Sequence, residues 1–501
     1  MNDFPRSPTF TPAPRQSIWQ NWISLAGAIV AVGSLFAFIL LFSMDMMWKG
    51  EKNPYLGILS YLIAPGFLIL GLALVLAGAW NQHRTRARVP YAPPPRFAID
   101  LSRPRDRWTL IWFGVGTLGF MLLTAVGSYQ TFHYTESVAF CGEVCHKVME
   151  PEFTTYKAGD HARVACVQCH IGSGAAWYVK AKISGLHQVY AVTVNRFDRP
   201  IPTPVESLRP ARDTCEQCHW PQKYSGGVER VRNHFMADDK NTPYTVRLLV
   251  NVGGGSPAHG PVGGIHWHML VSNKVEYYAA DARRQTIPWV RVTDSKGAVT
   301  VYRTGDFKGE PPAEQIRQMD CMDCHNRPAH KYVTPNDAVD EAMYLGRIDG
   351  ALPGIRHAAV DLLTKEYATD GDADAAIDKG LHARYATARN LGETVAAVQA
   401  VYRGNFFPEM KADWSKYPDN IGHLDSPGCF RCHDGKHAVA GNSRRMLSTD
   451  CNSCHTILAQ GTGADLAKVV PQGQPFRHPG GGIEGTGLLC SDCHNGKNQD
   501  N

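Results

Sequence analysis

Every cysteine in this 501-residue chain belongs to a pair that sits just ahead of a histidine. Six pairs have C-x-x-C-H spacing: Cys166/Cys169/His170, Cys215/Cys218/His219, Cys321/Cys324/His325, Cys429/Cys432/His433, Cys451/Cys454/His455 and Cys490/Cys493/His494. The seventh, Cys141/Cys145/His146, has one extra residue between its cysteines. C-x-x-C-H is the attachment pattern of c-type haem. Two thiols bond the vinyl groups of the macrocycle, and the adjacent histidine ligates the iron from one side. Zinc sites would need such motifs in pairs, with no reason for a histidine after each. A disulfide framework suits small secreted domains and also ignores the histidines. Seven covalently bound haems are therefore expected. For Cys141 to His146 the plain alternative is a local disulfide or two free thiols.

Haem is attached outside the cytoplasmic membrane, so residues 141 onward must reach that side. Three apolar segments precede the first motif, at 23–42, 55–80 and 108–129. Each reaches the roughly 20 residues that cross a hydrocarbon core. Between the second and third lie Arg84, Arg86, Arg88, Arg96, Arg103, Arg105 and Arg107, whereas Lys49 and Lys52 in the first loop are offset by Asp45 and Glu51. The positive-inside rule puts 81–107 and the N-terminus (1–22) in the cytoplasm, so three crossings leave residue 130 outside. Trp19, Trp22, Trp48, Trp80, Trp108 and Trp112 stand near segment ends as interfacial anchors do. No small-residue cleavage site follows the first segment, so it reads as a retained anchor.

The net charge of +5 belongs to the protein without haem. An oxidised haem with neutral axial ligands adds roughly one negative charge through its propionates. The basic balance thus gives no argument for nucleic acid. Much of it is the arginine cluster, which sets topology and is placed to meet anionic inner-membrane lipid.

The expected fold is a multihaem cytochrome c. Three N-terminal transmembrane helices (two in 23–80, the third at 108–130) carry a periplasmic domain of short helices and loops around a haem stack. Residues 131–240 hold three motifs. Residues 241–320 hold none and show β-branched and aromatic alternation over 244–252 and 274–303, with a turn signal at Asp294-Ser-Lys-Gly297, so a small β insertion with one hairpin is expected. The fourth motif lies in 321–334. Residues 335–405 are alanine-rich with helical periodicity, as in Ile355-Arg-His-Ala-Ala-Val-Asp-Leu-Leu363, and read as two or three helices. Residues 406–501 carry the last three motifs. Abundant Gly and Pro fit chain wrapped around haem, with little ordinary core and little strand outside the insertion.

Besides the seven motif histidines there are fourteen others. His83 is cytoplasmic by topology. Thirteen lie outside, enough to make most haems six-coordinate, which suits electron transfer and leaves no open site for a substrate. Candidate second ligands are His161, His234, His266, His268, His330, His423, His437 and His478. His330 lies five residues after His325, and His437 four after His433; such short spacing favours ligating a neighbouring haem. For His187, His357 and His382 a surface or packing role explains the residue as well. Met149, three residues after His146, is a candidate thioether ligand that would raise the first haem's potential. Its alternative is contact with the porphyrin.

Residues 108–235 resemble the membrane-anchored NapC/NirT quinol dehydrogenases. The resemblance rests on an anchor helix, then Thr135-Glu-Ser-Val-Ala-Phe-Cys141, then His161-Ala-Arg-Val-Ala-Cys166-Val-Gln-Cys-His170-Ile-Gly. The motif at Cys321 completes that family's four-haem core. The whole, with three anchor helices and seven haems, is similar to the ImcH-type inner-membrane cytochromes of metal-respiring bacteria. The resemblance implies quinol oxidation at the membrane surface and electron delivery to periplasmic cytochromes or a reductase. In the family's first motif the spacing is C-x-x-C-H-x-M, with the methionine as axial ligand. Here both gaps are longer by one residue.

The expected function is transfer of electrons from the membrane quinol pool to periplasmic acceptors in anaerobic or metal respiration. Quinol would dock where the third helix leaves the membrane, close to the first haem. Candidate proton acceptors there are His133, Glu136, Glu150, Lys157 and Asp160, each equally explicable as a solvated surface group. Two other classes compete: a terminal reductase of a small nitrogen or sulfur substrate, which needs a five-coordinate haem, and a haem subunit of a larger complex. A homo-oligomer fits any of the three.

Overall fold

The computed structural model describes residues 21–47, 63–88, 102–144, 146–172, 174–205, 209–220, 223–224, 226–253, 263–270, 272–481 and 488–498. The chain divides into two compact units, 1–134 with 171–184, and 135–170 with 185–501.

In the first unit, α1 (Trp22–Met47) and α2 (Ala64–Arg88) lie side by side. The Ser24 hydroxyl donates to the Val75 carbonyl at 3.1 Å and the Ser34 hydroxyl to that of Ala64, so the two helices run antiparallel. Small residues allow this approach: a Cβ on Gly27 would stand 2.6 Å from the Gly71 oxygen. Close contact through small residues is how helices associate where no water drives them together. Val32, Phe36, Ile69 and Leu76 point outward and are exposed. Both helices are long and apolar enough to cross a membrane, over Trp22–Leu41 and Ala64–Gln82.

Three such helices were expected, and the described residues give two. The third segment does form a continuous helix, α3 (Pro104–Thr135). Many of its side chains, 123–128 among them, lie outside the described residues. Most of the expected cytoplasmic N-terminus (1–20), part of the expected cytoplasmic arginine-rich loop (89–101) and the connection between the first two segments (48–62) lie outside them as well.

The second unit includes α4 (His146–Ala158), and residues of α5 (Ala175–Thr193) are assigned to both units. Two sheets follow. One has the order β1 (Val228–Phe235), β2 (Pro243–Val250), β9 (His455–Gly461), all antiparallel. The other has six strands in the order β6-β3-β4-β5-β7-β8. They are β3 (Lys274–Tyr278), β4 (Trp289–Thr293), β5 (Val299–Arg303), β6 (Arg317–Gln318), β7 (Ala438–Val439) and β8 (Asn442–Met446). The expected turn at Asp294 closes the β4–β5 hairpin: its carboxylate accepts from Lys296 N and Ala298 N, both at 2.9 Å, and Gly297 takes φ 81°. Tyr277 faces Val290 across β3–β4, and both are buried with Val275 and Ile287.

The strands are not confined to 241–320. β1 begins at Val228, and β7, β8 and β9 come from the C-terminal region. The physical reason is edge pairing. β2 and β5 each present an unpaired edge, and chain emerging from the fifth and sixth haem motifs covers them.

Between the fourth and fifth motifs there are four helices, rather than two or three: α6 (Pro335–Tyr344), α7 (Ile355–Leu363), α8 (Asp370–Arg384) and α9 (Leu391–Asn405). Thr334 and Thr369 cap α6 and α8, accepting from Asp337 N at 3.3 Å and Asp372 N at 3.1 Å. The expectation of little ordinary core fails here. Val339, Ile355, Val360, Leu363, Ile377, Leu381 and Val398 are wholly buried in one apolar cluster. It extends to Tyr332, Tyr402, Phe406, Phe407, Trp414 and Tyr417. Ala, Leu and Ile at helical spacing need no haem to cover them. Leu363→Ala is expected to cost about 2–5 kcal/mol through lost burial and the cavity left behind. Thermal unfolding followed by circular dichroism measures it. This core holds the chain's end: Trp414 Nε1 donates to Asn495 O at 3.1 Å, Asn336 to Lys497 O at 2.9 Å, and Asn498 to His357 O at 2.8 Å.

Candidate haem sites

The cysteines of each of the six regular motifs lie in or beside a single short helical turn. The backbone N–H of the histidine donates to the carbonyl of the first cysteine in four of them: His219 to Cys215 at 2.8 Å, His325 to Cys321 at 2.8 Å, His433 to Cys429 at 3.1 Å and His494 to Cys490 at 2.8 Å. That turn puts the first cysteine and the histidine, i and i+4, on one side. Acidic residues cap these turns. Asp320 accepts from Met322 N at 2.9 Å, Asp450 from Asn452 N at 3.0 Å, and Asp492 from Leu489 N at 2.8 Å. The twelve cysteines of the six regular motifs form no disulfide. Among the described residues no cluster of His, Cys, Asp and Glu forms a metal cage. Cys145 and the side chain of His146 lie outside the described residues.

The attachment cysteines are not enclosed by the chain to the same degree. Cys166, Cys215, Cys321, Cys432, Cys454 and Cys490 are half-buried, whereas Cys169, Cys218, Cys324, Cys429, Cys451 and Cys493 are exposed. Cys218 and Cys493 therefore depart from the picture of a binding residue held inside the fold, although the spacing assigns both to haem attachment. A thiol that bonds a vinyl group must face the macrocycle, not the protein core.

Six motif histidines each face a second histidine. The ring-centre distances are 6.2 Å for His170–His330, 6.1 Å for His219–His161 and 6.4 Å for His325–His266. They are 6.0 Å for His433–His268, 6.1 Å for His455–His423 and 6.1 Å for His494–His478. Two metal–nitrogen bonds of about 2 Å, added to the depth of each ring, give about 6 Å. The spacing therefore fits one metal ion between each pair.

The second nitrogens are arranged to match. Nδ1 meets a backbone carbonyl in His161 (Pro328 O, 2.9 Å), His266 (Val252 O, 2.8 Å), His268 (Ile265 O, 2.8 Å), His330 (Glu152 O, 2.8 Å) and His433 (Ser448 O, 2.7 Å). His219 Nδ1 meets the Tyr224 hydroxyl at 3.2 Å. An Nδ1–H held by a carbonyl leaves Nε2 bare and basic, the orientation metal-ligating histidines adopt. Burial pushes His268, His330, His423, His455 and His494 below the ordinary histidine range, which keeps the rings neutral. The residues present thus fit haem iron.

Two expected second ligands, His234 and His437, do not face any of the six described motif histidines. His437 is buried with both nitrogens engaged, Nδ1 on Asp434 at 2.8 Å and Nε2 on Ile287 O at 2.6 Å. His234 Nδ1 meets the Asp340 carboxylate at 3.4 Å, and Arg356 holds that carboxylate from the other side at 2.9 Å. His357 and His382 contact Asp361 and Asp378 one helical turn away, as the packing reading expects. Met149 is half-buried on α4.

Of the suggested proton acceptors, His133 belongs to the first unit, with its ring edge-on to Tyr129 at 4.4 Å. Glu136, Glu150, Lys157 and Asp160 belong to the second. Lys157 sits over the Phe153 ring at 3.9 Å.

Sequence reasoning missed the supports of these sites. Glu152 accepts from Arg327 at 3.3 Å and from the Tyr332 hydroxyl at 3.3 Å, beside the His330 ring. Buried Asp323, inside the fourth motif, accepts from the Tyr277 hydroxyl at 2.6 Å, Arg284 at 3.2 Å and Arg317 at 3.1 Å. Its readable signal is the Asp320-Cys-Met-Asp323 capping spacing.

Residues 103–202 match the family model described as the NapC/NirT cytochrome c family, N-terminal region. A relative in Geobacter sulfurreducens, cytochrome c-type protein ImcH, is 43% identical over 495 residues, covering 95% of each chain. The chain belongs to this family. It is a membrane-anchored multihaem cytochrome c that functions in electron transfer and binds haem c covalently. No solved structure matches it.

Proposed function

We propose that the chain binds seven haems and takes electrons from membrane quinol to periplasmic acceptors in anaerobic or metal respiration. The observation that carries this reading is the six facing histidine pairs at 6.0–6.4 Å. Haem held between two histidines supplies one-electron transfer and offers no vacant position to a substrate. We assign His330, His161, His266, His268, His423 and His478 as the second ligands opposite His170, His219, His325, His433, His455 and His494. The same observation disfavours the terminal-reductase reading. The first haem, on Cys141, Cys145 and His146, has Met149 as its candidate second ligand. α3 is read as the third crossing, which puts residue 135 onward on the periplasmic side with the arginine-rich loop inside.

Protons released on quinol oxidation need acceptors near the membrane surface. His133, Glu136, Glu150, Lys157 and Asp160 are the candidates, and the periplasmic acceptor is a soluble cytochrome or a reductase.

Two measurements test the reading. The haem content of the purified chain is expected to be seven per polypeptide. A value of six would remove the lengthened motif at Cys141 from the attachment sites. A reduced quinol analogue, added anaerobically to the chain alone, is expected to reduce its haems. Failure to do so would favour a haem subunit whose partner handles quinol.

A further inference from the structure

Ile265–Met269 is one 3-10 turn, with the sequence Ile-His-Trp-His-Met. Its two histidines face different motifs: His266 faces His325 of the fourth, and His268 faces His433 of the fifth. The ring planes differ as well. The first pair is nearly parallel, at 5°, and the second nearly perpendicular, at 89°.

The turn is held rigidly. Ile265 N donates to Asn251 O at 2.9 Å and His266 N to Val252 O at 3.2 Å, so it hangs on the end of β2. Gly264 enters it at φ 72°, and Gly253 passes so close that a Cβ on either glycine would strike the other's segment. Asn273 donates to Trp267 O at 3.1 Å from the far side. Met269 and Leu270 are buried behind it.

The two attachment motifs are also tied to each other. Arg431, between the cysteines of the fifth motif, donates to the backbone carbonyl of Asp323, between the cysteines of the fourth, at 2.7 Å. Its other nitrogen donates to Arg284 O at 2.9 Å. Asn420 adds a third bond, to Asp323 O at 3.0 Å. One piece of chain therefore faces both sites on the distal side, and one arginine joins both on the attachment side.

We propose that this turn is a double ligand: His266 completes the fourth haem site and His268 the fifth, joining the four-site region that begins in the family-matched segment to the last three sites as one rigid unit. The proposal rests on the two-histidine reading above, and its test needs no quinol. Two adjacent sites clamped on both sides keep a fixed separation and orientation.

The test uses the full-length, haem-loaded, oxidised protein and electron paramagnetic resonance. Near-parallel imidazoles give a rhombic low-spin signal, and near-perpendicular ones a strongly anisotropic low-spin signal. His266→Gly is expected to convert one rhombic low-spin haem to high spin. His268→Gly is expected to convert one strongly anisotropic haem instead. Added imidazole restores the low-spin signal in each, and haem content stays equal to that of the parent. If both variants change the same signal, or neither yields high-spin haem, the double-ligand assignment is overturned. His423→Gly serves as control. High spin there with none in the two turn variants sinks the turn while sparing the general two-histidine reading; no high spin in any of the three sinks both. Where a glycine variant loses haem, His268→Met keeps a sixth ligand and is expected to add one methionine-ligated near-infrared band. Its absence overturns the role of His268.

Discussion

Replacing Asp323 with alanine is expected to destabilise the second unit by about 3–5 kcal/mol, the cost of breaking a buried ion pair by removing one partner. Asp323 is almost fully buried and accepts from Tyr277, Arg284, Arg317 and its own N-cap residue, Asp320 N at 2.7 Å. Its loss leaves the Tyr277 hydroxyl, on a side chain 1% exposed, without that partner. It also leaves Arg317, which links β6 to the fourth motif, with Asp320 as its remaining carboxylate at 2.8 Å. Tyr277→Phe removes a single bond and is expected to cost only about 1–2 kcal/mol. Thermal melts of the two variants beside the parent give both values. Equal, small losses would mean that the carboxylate is not the organising centre of this motif.

Gly428→Val is expected to abolish proper seating of the fifth motif. Gly428 directly precedes Cys429 and has φ 50°, a backbone region that costs a β-branched residue about 1–3 kcal/mol in strain. A Cβ there would also collide with the Gly422 carbonyl, which accepts from Cys429 N at 2.9 Å. The expected result is one haem fewer per chain, or a fifth haem without its low-spin signature, read from haem content and the oxidised spectrum. An unchanged spectrum would show that the loop tolerates a side chain at this glycine.

The attachment residues were legible because the chemistry fixes their spacing: two thiols and an imidazole must share one turn. Their burial was not legible, since spacing says nothing of which thiols the chain encloses, and Cys218 and Cys493 are exposed where Cys215 and Cys490 are half-buried. The histidines that we propose as second ligands were legible as a supply but not as pairs. His330 meets His170 and His161 meets His219 across long stretches of sequence, and nothing local records which iron a ring will reach. His234 and His437 look like the others in sequence. The difference lies in their partners, a buried carboxylate in one case and two hydrogen bonds in the other. The β4–β5 hairpin announced itself through alternation and the Asp294 turn. β8 could not, because Asn442-Ser-Arg-Arg-Met446 is exposed throughout and carries no apolar period. The four-helix core was partly visible in its alanine-rich periodicity. It was underrated because haem was expected to supply the apolar mass.

The strand order β1-β2-β9 has a consequence for assembly in time. Thr245 of β2 pairs with Gly461 of β9, a stretch of chain that contains the fourth, fifth and sixth attachment motifs. A chain delivered N-terminus first presents β1 and β2 long before their third strand exists. β9 begins at His455 itself, the histidine of the sixth motif. That sheet therefore closes only after the sixth motif has emerged, so a pairing of this sequence separation comes late in the assembly of the second unit.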